Sequence, residues 1–216
     1  VAKEKIILFD LDGTLIDSAE AIYESFCAAC AQNGLKIPSF QDVKESIGHT
    51  LENMFLNFGV SEKDISSCID AYRNHYRNIY LQKTKMLPNA TDSILLASKI
   101  GKLGVVTTKT AKFSKQILHY FGILEYFQTV VGIEDVKFPK PHKEPVLKAM
   151  HQIDFKGLLS NAFMIGDTIL DIQSAINAGI NPIGVKTGYG ELEDMRLICK
   201  NIFNDSLEAV EFIKTL

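Results

Sequence analysis

Two aspartates, Asp10 and Asp12, close an apolar run in the string Ile6-Ile7-Leu8-Phe9-Asp10-Leu11-Asp12-Gly13-Thr14-Leu15. No other feature constrains the fold as much. Four successive apolar residues read as a buried strand, and such a strand must end where the acids begin because it cannot bury them. The two carboxylates therefore mark a strand-to-loop edge, where open α/β sheets gather their ligands. Like charges this close repel unless a cation or a proton lies between them, so the pair implies a metal, a shared proton or both.

The chain of 216 residues is 46% hydrophobic, enough to bury a sizeable core as one large domain or a core with a smaller insertion. Lys and Arg number 23 against 26 Asp and Glu, for a net charge of −3, and the cations form no block. Nucleic acid and anionic membrane are thus not expected partners, and the oligomeric state is not legible. No stretch approaches a membrane span, and the start, Val1-Ala2-Lys3-Glu4-Lys5 before only four apolar residues, is too short for a signal-peptide core, so the expected compartment is the cytoplasm. Cys27 and Cys30 form a C-x-x-C inside an alanine-rich helical pattern with no second pair, and read as small buried hydrophobes.

After the acidic loop, Asp17 and Ser18 offer caps to a helix carrying Ile22, Phe26 and Ala29, which Gly34 can terminate. Ser39 with Asp42 and Ser61 with Asp64 give two further helix starts. Residues 17–85 thus read as an inserted helical unit with Phe26, Phe40, Phe55, Phe58, Tyr72 and Tyr76 for a small core. Beyond Pro88, apolar runs at 103–107, 127–131, 163–166 and 182–185 alternate with helical stretches near 90–99, 111–121, 142–152 and 169–178. A short run at Ile202-Phe203 precedes a last helix from about Leu207. This alternation argues for a parallel sheet covered on both faces, to which Ile6–Phe9 also belongs.

Polar groups stand at the ends of those strands: Thr107, Thr108 and Lys109 after one, Asp167 and Asp171 after another, with Lys140-Pro141 in a loop entering a helix. Parallel strands share their carboxyl edge, so Asp10, Asp12, Thr107 and Asp167 are expected to converge on one crevice.

The ordered set DLDGTLIDS, VTTK, KPHKEP and GDTILDIQSAINAG resembles the haloacid dehalogenase-like superfamily of phosphotransferases, and within it the phosphoglycolate phosphatase group. The resemblance implies an α/β fold: a Rossmann-like parallel sheet of order 5-4-1-2-3, formed by residues 1–16 and 86–216, with a helical cap over 17–85. It implies a Mg²⁺-dependent phosphatase acting on a small phosphomonoester, phosphoglycolate first. Asp10 would be the nucleophile forming an aspartyl-phosphate, which suits a carboxylate already ionised, and Asp12 the general acid and base. Asp10, Asp167 and the Asp12 carbonyl would ligate Mg²⁺, with Asp171 orienting its water. Gly13 would let the backbone pass beneath the phosphate, Thr107 would hold a phosphoryl oxygen, Lys140 would neutralise charge, and Thr14 would steady the Asp12 carboxylate. In the cap, Gly48, His49 and Thr50 resemble the specificity loop, and with Gly13, Thr14 and Thr108 they are the expected substrate-binding residues.

Plainer readings stand beside these. The acids can cap helices or turns, the threonines can simply end a strand, Lys140 can be solvated, Gly48 can mark a helix junction, Lys109 reads equally as approaching the site or as a surface residue, and Gly188-Tyr189-Gly190 reads as a loop near the site or as a plain turn. Lys143 stands where the group often has proline, which leaves the detail of that loop open. A mutase similar to β-phosphoglucomutase would need a cap cation, and Arg73 and Arg77 share a helix face that reads as solvated. A phospho-signalling module shares the Asp, Thr and Lys set but lacks a cap. Halide hydrolysis is disfavoured by the presence of Asp12.

Overall fold

The computed structural model describes residues 5–216; Val1 to Glu4, on which part of the signal-peptide reading rests, lie outside the described residues. Strand β1 (Ile6–Phe9) leads to the short strand β2 (Ile16–Asp17), helices α1 (Ala19–Gln32), α2 (Phe40–Ser46), α3 (Leu51–Asn57) and α4 (Glu62–Ile79), and the short strand β3 (Lys85–Met86). There follow α5 (Ala90–Ser98), β4 (Lys102–Val106), α6 (Ala111–Tyr120), β5 (Phe127–Val131), α7 (Glu144–Gln152), β6 (Ala162–Gly166), α8 (Ile169–Ala178) and β7 (Asn181–Val185). The chain closes with α9 (Leu192–Ile198), β8 (Ile202–Phe203) and α10 (Ser206–Thr215).

The main sheet has the order β5-β4-β1-β6-β7-β8, every pairing parallel. Without β8, and numbering the other five in chain order, this is the expected 5-4-1-2-3 read from the opposite edge; β8 adds a sixth strand. Alternating side chains of β1 serve the two faces. Ile6 and Leu8 pack with Val146, Met150, Ala175 and Ala178 of α7 and α8, and Ile7 and Phe9 with Ile94, Ile117, Leu118, Val210 and Ile213 of α5, α6 and α10. Each such side chain contributes roughly 1.5–3 kcal/mol of transfer free energy against the entropy of ordering the chain. The register sets Phe9 level with Val105 and Ile165, so Asp10, Thr107 and Asp167 leave the sheet at one edge.

The chain crosses out of the core at β2 and returns at β3, and the two crossings pair antiparallel, Ile16 with Met86 and Asp17 with Lys85. The sequence reading did not anticipate this ribbon, because two-residue strands carry no periodicity; α9 was missed for the same want of pattern. Between the crossings, Ser39 caps α2 with a reciprocal Asp42 box, Thr50 caps α3 and Ser61 precedes α4. Phe26 is fully buried, its ring centroid 4.3 Å from Phe55, 5.5 Å from Tyr72 and 5.7 Å from Phe58. Phe40 does not join this core: it is 43% exposed at the start of α2 and meets only Tyr23 edge-on. Cys27 is half-buried, Cys30, Cys68 and Cys199 are buried, and all four are free thiols. No described helix is long and apolar enough to cross a membrane.

Truncating Phe26 to alanine leaves a cavity at the junction of α1, α3 and α4. The Phe26→Ala variant should lose about 3–5 kcal/mol in urea denaturation; a loss below about 1 kcal/mol would show that the helical insertion is not held by this cluster.

Candidate active site

The carboxyl edge of the sheet gathers Asp10, Asp167 and Asp171, all buried, with one ligand oxygen from each lying within 4.8 Å of the others. Asp10 continues β1, its N–H donating to the Ile165 carbonyl at 2.9 Å. One cation enters the cluster. Lys140 is buried with its ammonium hydrogen-bonded to Asp171 Oδ1 at 2.5 Å and to the Val106 carbonyl at 3.2 Å, and ion-paired with Asp10 Oδ1 at 2.9 Å. Asp171 Oδ2 also accepts the Thr168 N–H and hydroxyl, so this carboxylate holds Lys140 and caps α8. These contacts leave Asp171 within the same acidic cluster as Asp10 and Asp167.

Three buried carboxylates against one ammonium leave an excess of negative charge, and the titration behaviour reflects it. Burial, then the neighbouring Asp171, drives the Asp10 carboxyl well above its usual value, with Lys140 opposing. The same two causes push Asp167 up to about 7, against the Tyr189 N–H and Thr14 hydroxyl that stabilise its anion. Lys140 is lowered by burial itself, but Asp10 and Asp171 outweigh that and hold it firmly protonated.

Thr14 donates to Asp167 Oδ1 at 2.9 Å, not to Asp12 as expected. Thr14 follows the φ +87° turn at Gly13, and its hydroxyl falls toward the second acidic strand end. Gly13 lies so near that a Cβ there would stand 2.3 Å from Asp167 Oδ2, and one at Gly188 only 1.9 Å. The Gly13 N–H goes to the Ile16 carbonyl at 2.7 Å, which leaves it no part in binding a phosphoryl oxygen in this conformation.

Asp12 lies apart from the cluster. Its Oδ1 accepts from the Ser18 hydroxyl and lies 3.3 Å from Lys109 Nζ. Lys109, which the sequence left between a surface and a site role, is largely buried; it donates to the Tyr76 hydroxyl of α4 at 2.9 Å and sits 4.8 Å above that ring. Thr107 Oγ1 accepts the Lys109 N–H at 3.1 Å, keeping its own proton available.

Over this edge the insertion encloses a cavity of about 560 Å³ lined by Asp12, Gly48, His49, Thr50, Arg73 and Lys109, among others. Of the cap-facing residues singled out, Thr108 donates to the Gly48 carbonyl at 3.0 Å and the Thr50 hydroxyl accepts the Asn53 N–H, so both serve structure as well as lining. His49 is exposed, whereas Arg73 is half-buried on the cavity wall, and only Arg77 keeps the expected solvated position. Lys143 is exposed at the start of α7. The sequence marks Ser18 only as a helix cap and Gly188-Tyr189-Gly190 only as a loop near the site; the contacts of the Ser18 hydroxyl with Asp12 and of Tyr189 with Asp167 and Asp17 have no local signature.

A family model described as haloacid dehalogenase-like hydrolase matches residues 7–185, from β1 to the last residue of β7, and so takes in the whole acidic cluster. Pyrophosphatase PpaX of Bacillus cereus is 32% identical over 184 residues, 85% of this chain and 83% of that protein. A 5'-nucleotidase of Pseudomonas aeruginosa is 31% identical over 195 residues, 88% of this chain and 86% of its own length. A haloacid dehalogenase-like family hydrolase from Streptococcus pneumoniae superposes with a TM-score of 0.86 at 25% identity, covering 97% of this chain and 98% of the other. Sequence, architecture and the span of the match agree, and the chain belongs to the haloacid dehalogenase-like hydrolase family.

Proposed function

We propose that the chain is a Mg²⁺-dependent phosphatase that hydrolyses a small phosphate ester through an aspartyl-phosphate on Asp10, with residues 1–16 and 86–216 as catalytic core and 17–85 as cap. One observation carries the reading: Lys140 Nζ stands 2.9 Å from Asp10 Oδ1 inside a cluster whose three carboxylates outnumber it. The donors are hard oxygens and the surplus charge is that of a divalent cation, which fits Mg²⁺. Asp10, Asp167 and the Asp12 carbonyl would hold the ion, which when bound draws negative charge from the transferring phosphoryl group.

The chain's own groups supply the rest. The Asp10 carboxylate attacks phosphorus while Lys140 and the Thr107 hydroxyl offset charge on the equatorial oxygens. Asp12, steadied by Ser18 and Lys109 at the cavity floor, gives its proton to the leaving oxygen. It then takes a proton from the water that opens the aspartyl-phosphate. Phosphoglycolate remains the first substrate to test. The relatives' names add pyrophosphate and nucleoside monophosphates, which a 560 Å³ cavity with Arg73 on its wall can accommodate.

Two experiments test the reading. Excess chelator should abolish hydrolysis of an aryl phosphate and Mg²⁺ should restore it, while Asp10→Asn should lower kcat by more than about a thousandfold with folding preserved, because an amide cannot accept the phosphoryl group. Full activity with chelator, or in the variant, would remove the mechanism. Asp12→Asn should still transfer phosphate from an aryl ester, whose leaving group needs no acid, yet trap the phosphoenzyme for want of a base; an alkyl ester should fail already at transfer. Rapid quench distinguishes the two, and equal losses without an accumulating intermediate would withdraw the acid–base role of Asp12.

A further inference from the structure

Tyr189 touches three parts of the molecule: the acidic cluster, the outgoing crossing and the inserted helix α2. Its N–H donates to Asp167 Oδ2 at 2.9 Å, so its backbone belongs to the acidic cluster. Its hydroxyl donates to Asp17 Oδ1 at 2.8 Å and accepts the Ser18 N–H at 3.1 Å. Asp17 ends β2 and its Oδ1 also accepts the Ala19 N–H at 3.1 Å, and Ser18 is the residue that precedes α1, the point at which the chain leaves the core for the cap. Above the ring, at 6.0 Å from its centroid, is Lys44 of cap helix α2. The side chain is 8% exposed, and it cannot drift: a Cβ on Gly190 would lie 2.3 Å from the Asp167 carbonyl oxygen, as one on Gly188 would strike the Asp167 carboxylate, so the loop is pressed onto that residue on both sides of Tyr189. Thr187, two residues earlier, donates to the Gly13 carbonyl at 2.8 Å.

We infer that Tyr189 is a positioning residue that transmits the state of the Asp167 carboxylate to the crossing between core and cap, the hydroxyl holding Asp17 and Ser18 in the closed geometry. The inference rests on the proposed reading for Mg²⁺ at Asp167 as well as for its kinetic consequence. The main-chain end of the tie is held close by the glycines, and the phenol end engages an acceptor that ends β2, Asp17, and a donor at the start of α1, the Ser18 N–H. Ordering of Asp167 therefore stiffens the crossing, and the crossing sets how firmly the cap closes over the cavity in which Asp12 and Lys109 sit. A tyrosine ring spans the gap at low entropic cost because it has only two side-chain torsions.

The test is Tyr189→Phe, which deletes the hydroxyl and leaves the N–H to Asp167 in place. Amide exchange is followed at Ser18 and at Leu87, whose N–H crosses the ribbon to the Leu15 carbonyl, in the whole protein with and without Mg²⁺. Mg²⁺ should slow both amides by about tenfold or more in the wild type and leave them fast in the variant, while β6 and α8 keep wild-type protection. Asp17→Asn, which removes the charged acceptor, should show the same loss at Leu87. In turnover of an aryl phosphate, Tyr189→Phe should raise KM about tenfold with kcat and the half-saturating Mg²⁺ concentration within about twofold. A Mg²⁺ effect on Leu87 retained in the variant, or protection lost uniformly across the core, would overturn the inference. Exchange needs no turnover: a wild type that hydrolyses nothing would strike the phosphatase reading and leave the tie to be decided by the amides.

Discussion

Three buried carboxylates around a single ammonium are the arrangement on which the rest of this structure depends. Folding brings Asp10, Asp167 and Asp171 to within 4.8 Å of one another although desolvation opposes burying even one of them. Lys140 answers one charge, shared between Asp10 and Asp171, and its ammonium is also held by the Val106 carbonyl. The surplus is met by protons, which is why burial and Asp171 raise Asp10 and Asp167, or by a divalent cation, which would make the cluster neutral. The surroundings serve this one need: glycines 13 and 188 make room for the Asp167 carboxylate, and Thr14 and the Tyr189 N–H point donors at it.

Asp12, two residues from Asp10, lives in a different electrostatic world. It is paired with Lys109 and Ser18 outside the cluster, and Lys109 in turn reaches the Tyr76 hydroxyl of the cap. The division matches the division of labour proposed for the two acids, one ionised by a metal and a lysine, the other exchanging protons with the leaving group and with water. It also places Asp12, the proposed acid–base group, where α4 of the helical insertion meets the edge of the sheet through Lys109.

Much of this was legible in the chain. Continuous apolar runs gave the parallel strands to within a residue or two, and the acids, Thr107 and Lys140 were found because each follows a strand or opens a helix in a fixed order. What escaped has a common cause. Thr14 was assigned to the wrong aspartate because neighbours in sequence are not neighbours across a left-handed turn at Gly13. Lys109, Ser18 and Tyr189 act through partners on other elements, and no local periodicity records a contact between residues 12 and 109 or 18 and 189. Arg73 was read as solvated because spacing reports which residues share a face but not what that face is packed against.

The most direct test of the charge account is thermal unfolding as a function of pH, comparing the wild type with Asp167→Asn, with and without Mg²⁺. A carboxyl raised from 3.8 to about 7 on folding contributes stability that is fully present below the lower value and lost as the pH rises through the upper one. The metal-free wild type should therefore lose stability relative to Asp167→Asn between about pH 4 and pH 7 and lose little more above that, and Mg²⁺ should restore it, with a larger rise in Tm at the higher pH. In Asp167→Asn, an amide that can accept from Tyr189 and donate to Thr14, the Mg²⁺ shift should shrink at every pH. A wild type that gains stability over the variant as the pH rises without metal, or a Mg²⁺ shift unchanged by the substitution, would contradict the account.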